Sequence, residues 1–246
     1  MAYGDLLKRI GIALMPGLFL IFALSFSKAA GAQPNQTSAD GRKAAEEIPA
    51  ENLISLDPRK ATFKIVQGEG EGKLVPMTLK ASTKEGEWSL AFENLYRLLI
   101  FRAPDGAVQV HSMELMERNE RVEFQPAFVL IPARIKAGQR TRRSGRVQVY
   151  DIEAGNQAYS GSYTEIIKEL SRSDFNTPTG TIDGYLLEYE FEIRLDYADI
   201  RIDLANGWSK DQRLIFWRSK RTVSKLGLFG ETTQRSMAVT NVKAGD

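Results

Sequence analysis

Glu188, Glu190 and Glu192 alternate with Leu187, Tyr189, Phe191 and Ile193, and carboxylates at that spacing are the first residues in this chain able to do chemistry. On an extended chain, same-face neighbours lie about 7 Å apart. Glycoside hydrolysis uses two carboxyls roughly 5 to 10 Å apart, one of them kept protonated in a cleft. The distance therefore permits a catalytic pair. The setting favours a plainer reading, because these glutamates occupy the polar side of an amphipathic run, and that side faces water.

Other catalytic groups are scarce. His111 is the single histidine, and there is no cysteine. One histidine cannot build a His-rich metal site, and no nucleophile-elbow motif accompanies it. Lack of cysteine removes disulfides, thiol catalysis, Cys-ligated zinc and iron–sulfur clusters, together with the lipid-bearing cysteine of a lipoprotein. The run Gly68-Glu69-Gly70-Glu71-Gly72 is rich in glycine, but Lys73-Leu74-Val75-Pro76 follows it. A phosphate loop must open a helix, so the run reads as a hairpin turn. The expectation is no enzyme, no catalytic residue, no metal and no cofactor.

Two sets of residues suit binding instead. Arg134, Lys136, Arg140, Arg142, Arg143 and Arg146 fall within 13 residues with no acid among them. They form a candidate anion site, with the plainer alternative that they pair across strands with Glu188 to Asp196. A second basic group, Arg213, Arg218, Lys220, Arg221 and Lys225, has Phe216 and Trp217 embedded in it. Trp88, Phe92, Tyr189, Phe191, Trp208 and Trp217 are candidates to line an apolar ligand face, or to be plain core.

These side chains must be positioned by strands. From Leu187 to Tyr197 apolar and polar residues alternate without a miss, the period-two signature of a half-buried strand. Ala198 and Asp199 break the phase before Ile200, Ile202 and Leu204 resume it, which places a bulge or tight turn there. Further strands are expected over Thr62 to Gln67, Leu74 to Ser82, Glu87 to Phe92, Asn94 to Arg102 and Val108 to Met113. Beyond these come Val147 to Ile152, Ala158 to Tyr163, Thr164 to Leu170, Leu214 to Trp217 and Met237 to Val242. Pro104-Asp105-Gly106 and Asn206-Gly207 read as turns. Pro126 and Pro132 enclose an apolar segment suited to an edge or crossing piece. The fold class is mainly β: a strongly curved antiparallel sheet, half-barrel or open barrel, with few short helices.

The N-terminus points to export. Lys8 and Arg9 precede an apolar run from Ile10 to Phe26, and Ala30-Gly31-Ala32 offers a small-residue cleavage site. Residues 1–32 are read as a signal peptide, 33–50 as a flexible leader and 51–246 as one β-rich domain. The run is short and carries Gly11, Pro16 and Gly17, so no stable membrane span is expected after cleavage. Loss of Lys8, Arg9, Lys28 and Asp5 leaves acidic and basic residues in balance, so no global field draws nucleic acid. The expected location is periplasmic or secreted.

From Asp105 to Trp217 a set of features follows in order: Asp105-Gly106, the segment between Pro126 and Pro132 followed by Gly138, the turn Pro178-Thr179-Gly180-Thr181-Ile182, and Trp208 ahead of the closing strand. This order resembles a group of secreted bacterial β-proteins, the DUF3108-like family, related in shape to the lipoprotein-carrier half-barrels. Ser209-Lys210-Asp211 stands where the family has glycines. The resemblance implies a bent sheet with an apolar concave face and carries over no catalytic residue.

The expected function is a non-enzymatic envelope binding protein holding an apolar or lipid-like ligand on that face. The alternative is an assembly protein that docks another envelope protein through an open sheet edge. A glycan-active enzyme with paired carboxylates comes third.

Overall fold

A computed structural model describes residues 47–136, 138–225 and 229–244. The proposed signal peptide and most of the proposed leader lie outside them. Fourteen strands follow in chain order. They are β1 (Glu47–Pro49), β2 (Arg59–Gly68), β3 (Leu74–Ala81), β4 (Glu87–Phe92), β5 (Tyr96–Arg102), β6 (Val108–Leu115) and β7 (Glu120–Ile131). The rest are β8 (Arg134–Lys136), β9 (Thr141–Asp151), β10 (Gln157–Thr177), β11 (Gly180–Leu195), β12 (Ala198–Ser209), β13 (Leu214–Lys225) and β14 (Phe229–Ala244). Single 3-10 turns at Ala50–Asn52 and Met116–Arg118 are the helices among the described residues.

All these strands except β1 and β8 form one barrel of antiparallel neighbours. The barrel is closed, which corrects the expected half-barrel or open barrel. The closing pair is β14 with β2, in register from Arg235↔Gly68 to Ala244↔Arg59. Alternation along a strand reports which face is dry, but says nothing about which edges meet. Closure was therefore outside the reach of the pattern, although it removes every unpaired edge of a sheet.

The central alternating run is a strand as expected, but it ends at Leu195, and the bulge or turn expected at Ala198-Asp199 is corrected: both residues already belong to β12. The turn is Asp196–Tyr197, with Leu195 paired to Ala198, and Tyr189 and Phe191 are buried. The expected turn at Asn206-Gly207 is corrected. Both residues are buried inside β12, paired to Leu187 and Leu186 on β11. Gly207 is there because the Phe175 ring crosses it: a Cβ would lie 2.4 Å from that ring. The chain reverses later, around Gln212, which adopts φ 61. The two segments expected between Ala158 and Leu170 are one strand, β10, with an irregularity between Ile167 and Glu169.

Antiparallel order puts alternate turns at opposite ends of the barrel. One end is plugged. β1 pairs with β8, and the Ala50 and Ser55 amides donate to the Ala133 and Gln212 carbonyls, at 2.9 and 3.1 Å. Leu53 and Ile54 are thereby buried at 0 and 2% exposure.

The strand β7 supplies a second filler. It pairs with β9 from Glu120↔Asp151 to Gln125↔Arg146, and there the pairing stops. From Pro126 onward its free edge meets inward-facing side chains of β10 and β11. The Tyr163 and Tyr189 hydroxyls donate to the Pro126 and Leu130 carbonyls. Glu165 accepts the Val129 amide on both carboxylate oxygens, at 3.1 Å. Side chains thus replace the missing strand and satisfy backbone groups that would be costly to bury bare. This is the crossing piece that the two prolines predict.

Candidate functional site

Among the described residues, the end opposite the plug is open. Here the turns β2–β3, β4–β5, β6–β7 and β11–β12 surround a cavity of about 320 Å³. Its wall is apolar: Met113, Leu115, Val122, Val149, Ile193, Leu195, Ile200 and Ile202 all contribute. The inward register explains why these meet, since Ile193 pairs with Ile200, Met113 with Val122, and Val122 with Val149. In the plugged half, inward residues such as Leu187, Tyr189 and Trp208 are at most 1% exposed. At the mouth, Met113, Leu115, Leu195, Ile200 and Ile202 face inward yet stay only half-buried. Apolar side chains that point into a barrel and remain accessible mark space without filler.

An aromatic floor separates the two halves. Phe92 packs on Phe63, Tyr96 and Trp217 at ring separations of 5.2, 5.0 and 5.7 Å, and Tyr96 lies 5.3 Å from Trp217. Tyr96 and Trp217 face the cavity. The Tyr96 hydroxyl is buried and has no hydrogen-bond partner. Burial pushes this phenol well above its usual range, partly opposed by the charge of Arg235.

The rim is charged. Arg235 reaches across the mouth, with its guanidinium 3.4 Å from the Glu69 carboxylate and 3.5 Å from that of Glu117, and it also donates to the Glu69 carbonyl. It therefore ties the β2–β3 turn to the 3-10 turn after β6. Arg221 stands one register pair nearer the mouth, on β13 between Ile202 of β12 and Thr233 of β14. Burial and the like charge of Arg118 lower its pKa, against the opposing pull of Glu120, Glu231 and Tyr197. Along β13 the inward positions run Trp217, Ser219, Arg221, and along β14 Met237, Arg235, Thr233. The lumen thus grades from apolar to polar toward the mouth.

Of the six aromatic candidates, Trp217 lines this cavity. Phe92 supports it from beneath, and Tyr189, Phe191 and Trp208 are packed core on the plugged side. Trp88 is half-buried against the core, paired with Ala81 and Ile100. The six basic candidates do not converge on one spot. Arg134 and Lys136 sit on β8, at 3.6 and 3.7 Å from Glu47. Arg140 is exposed in the loop before β9, and Arg142 and Arg146 are exposed on β9. Arg143 pairs in register with Glu165.

The expected pairing of this cluster with Glu188 to Asp196 is corrected. Glu188 binds Arg218 at 3.0 Å, and Glu190 lies between Arg201 and Lys168 at 2.9 and 3.2 Å. Those cations come from the adjoining β10 and β12 and from β13, one strand beyond, so strand order decided the partners. Glu190 belongs to an ion-pair network on the outer wall, away from the lumen. His111 is also outside the cavity lining, with its Nε2 2.5 Å from Glu87.

Arg221, Tyr96 and Glu165 carry no motif. The available signal was parity: each is a polar or charged group at an inward position of its strand. No family model, no curated protein and no solved structure matches the chain.

Proposed function

We propose that this protein is a non-catalytic container for a small apolar or amphiphilic molecule, held in the mouth of the barrel. The observation that supports the reading is the set of half-buried, inward-facing Met113, Leu115, Leu195, Ile200 and Ile202 around a 320 Å³ cavity. Small-molecule sites are concave and mainly apolar, with a few polar groups, and span about 300–1,000 Å³. This cavity is at the small end of that range.

The outer wall fits a barrel standing in water. Glu188, Glu190, Lys168, Arg201, Asp203 and Arg218 pair with one another there. A barrel in hydrocarbon needs an apolar outer band instead. With export directed by residues 1–32, the container would act in the periplasm or outside the cell. Docking of a partner by strand addition has less behind it, because every barrel strand has two neighbours.

The test is titration of the purified protein with 1-aminoanthracene, a neutral environment-sensitive dye, against its displacement by decanol. Saturable one-to-one binding is expected, and Ile202→Trp, which fills the cavity, should abolish it while leaving the thermal midpoint nearly unchanged. Binding that is absent, or that survives Ile202→Trp intact, overturns the proposal.

A further inference from the structure

Resting on the container reading, we infer that the mouth selects an amphiphile with an anionic head, a medium-chain carboxylate, and that Arg221 is the counter-ion for that head. The position of Arg221 carries the argument. Arg221 lines the cavity and is half-buried. Among the described residues it makes no ion pair within 4.0 Å and no side-chain hydrogen bond, while Arg235 on the next strand is held by Glu69 and Glu117. Taking a charge out of water without a partner is costly. A guanidinium brings five donors in a planar fork that matches a carboxylate in bidentate fashion.

The neighbours leave room for this. Arg118 adds a second positive charge beside Arg221, and Glu120 and Glu231 offset the pair without reaching contact distance. The rest of the wall suits a chain: Ile202 is the cross-strand neighbour of Arg221, with Ile200, Ile193 and Leu195 beside it. Deeper still, the unpartnered Tyr96 hydroxyl gives the floor a single polar group, which suits a ligand that is not pure hydrocarbon. A neutral alkane would leave both Arg221 and Tyr96 unpaired. A carboxylate at the rim pairs the group whose desolvation costs more.

Decanoate and decanol share a chain length and differ in the head, so the experiment compares their displacement of 1-aminoanthracene from wild type, Arg221→Gln and Arg221→Lys at pH 7.5. Wild type should bind decanoate roughly tenfold or more tightly than decanol, as a charge-assisted bidentate pair would give. Arg221→Gln should remove that preference and leave decanol binding in place, and Arg221→Lys should keep part of it. Thermal melts of all three proteins check that the fold is intact. Equal affinity for the two ligands in wild type, or an unchanged preference in Arg221→Gln, overturns the headgroup assignment but leaves the container. Failure of wild type to bind either ligand, or the dye, sinks the container and the headgroup together.

Discussion

Glu165→Gln should make the protein more stable at alkaline pH and leave it unchanged in acid. Glu165 is 0% exposed, and burial raises its pKa to about 7, against a usual 4.5, although the Val129 amide and the charge of Arg143 pull the other way. The other groups facing it are Tyr163 and Tyr189, whose phenols its charge helps to hold up. A raised carboxyl pKa means that the folded state binds the proton more tightly than the unfolded chain. Stability from this group is complete below pH 4.5 and is lost as pH climbs through 7. The separation corresponds to about 3 kcal/mol at pH 8. Glutamine mimics the protonated acid, and its carbonyl still accepts the Val129 amide. Urea unfolding at pH 4 and pH 8 should therefore give a variant-minus-wild-type difference near zero in acid and about 3 kcal/mol in favour of glutamine at pH 8. Glu87, whose carboxyl pKa is lowered although burial opposes it, by hydrogen bonds from His111 and Ser82, is the same in both proteins and cancels in the difference. Glu165→Ala is the control: relative to Glu165→Gln it orphans a buried amide, at about 1 to 3 kcal/mol at either pH. Parallel pH profiles for wild type and Glu165→Gln would refute the reasoning, because the carboxyl would then have to be solvated.

Leu53→Ala should cost about 2 to 5 kcal/mol by urea unfolding, as a fully buried leucine of the plug; a neutral result would mean that residues 47–57 do not belong to the core. Gly207→Ala drives a methyl into the Phe175 ring and should cost about 1 to 3 kcal/mol, partly recovered in a double variant with Phe175→Leu. Arg235→Ala should lower the thermal midpoint only modestly, since its partners Glu69 and Glu117 are exposed and such pairs contribute about 1 kcal/mol or less. It should speed amide exchange at Glu69 to Gly72 and at Met116 to Arg118, and unchanged exchange would mean that Arg235 does not hold the mouth.

How much of this was legible depends on what each residue reports. Alternation from Leu187 to Ile193 fixed a face, and the structure buries that face. Pro126 and Pro132 marked the piece of β7 that leaves its neighbour, because a residue without an amide hydrogen cannot hold a ladder on both sides. Asn206-Gly207 misled because a glycine needed for contact with Phe175 looks, in a string, like a glycine needed for a turn. Closure was invisible because Arg59 and Ala244 meet through backbone groups that every residue shares. The cavity was half-visible. The inward stripes of β13 and β14 pass from Trp217 and Met237 to Arg221 and Arg235, and such a gradient is what a lumen open to water at one end requires.

That gradient follows from the strand count. Eight strands enclose an interior that side chains just fill, and diameter grows with strand number. Twelve strands therefore enclose more space than inward side chains can occupy. The chain meets this excess with three devices: the plug of Leu53 and Ile54, the second half of β7 laid against β10 and β11, and large rings such as Trp208, Tyr163, Tyr189 and Phe175. All three lie on one side of the floor formed by Phe92, Tyr96 and Trp217. Nothing comparable lies on the other side among the described residues, where Ile200 and Ile202 stand half-bare beside an unpaired guanidinium. A chain able to fill one half of its barrel so thoroughly had the means to fill the other. Leaving that half open, apolar and charged at the rim makes sense if something else occupies it.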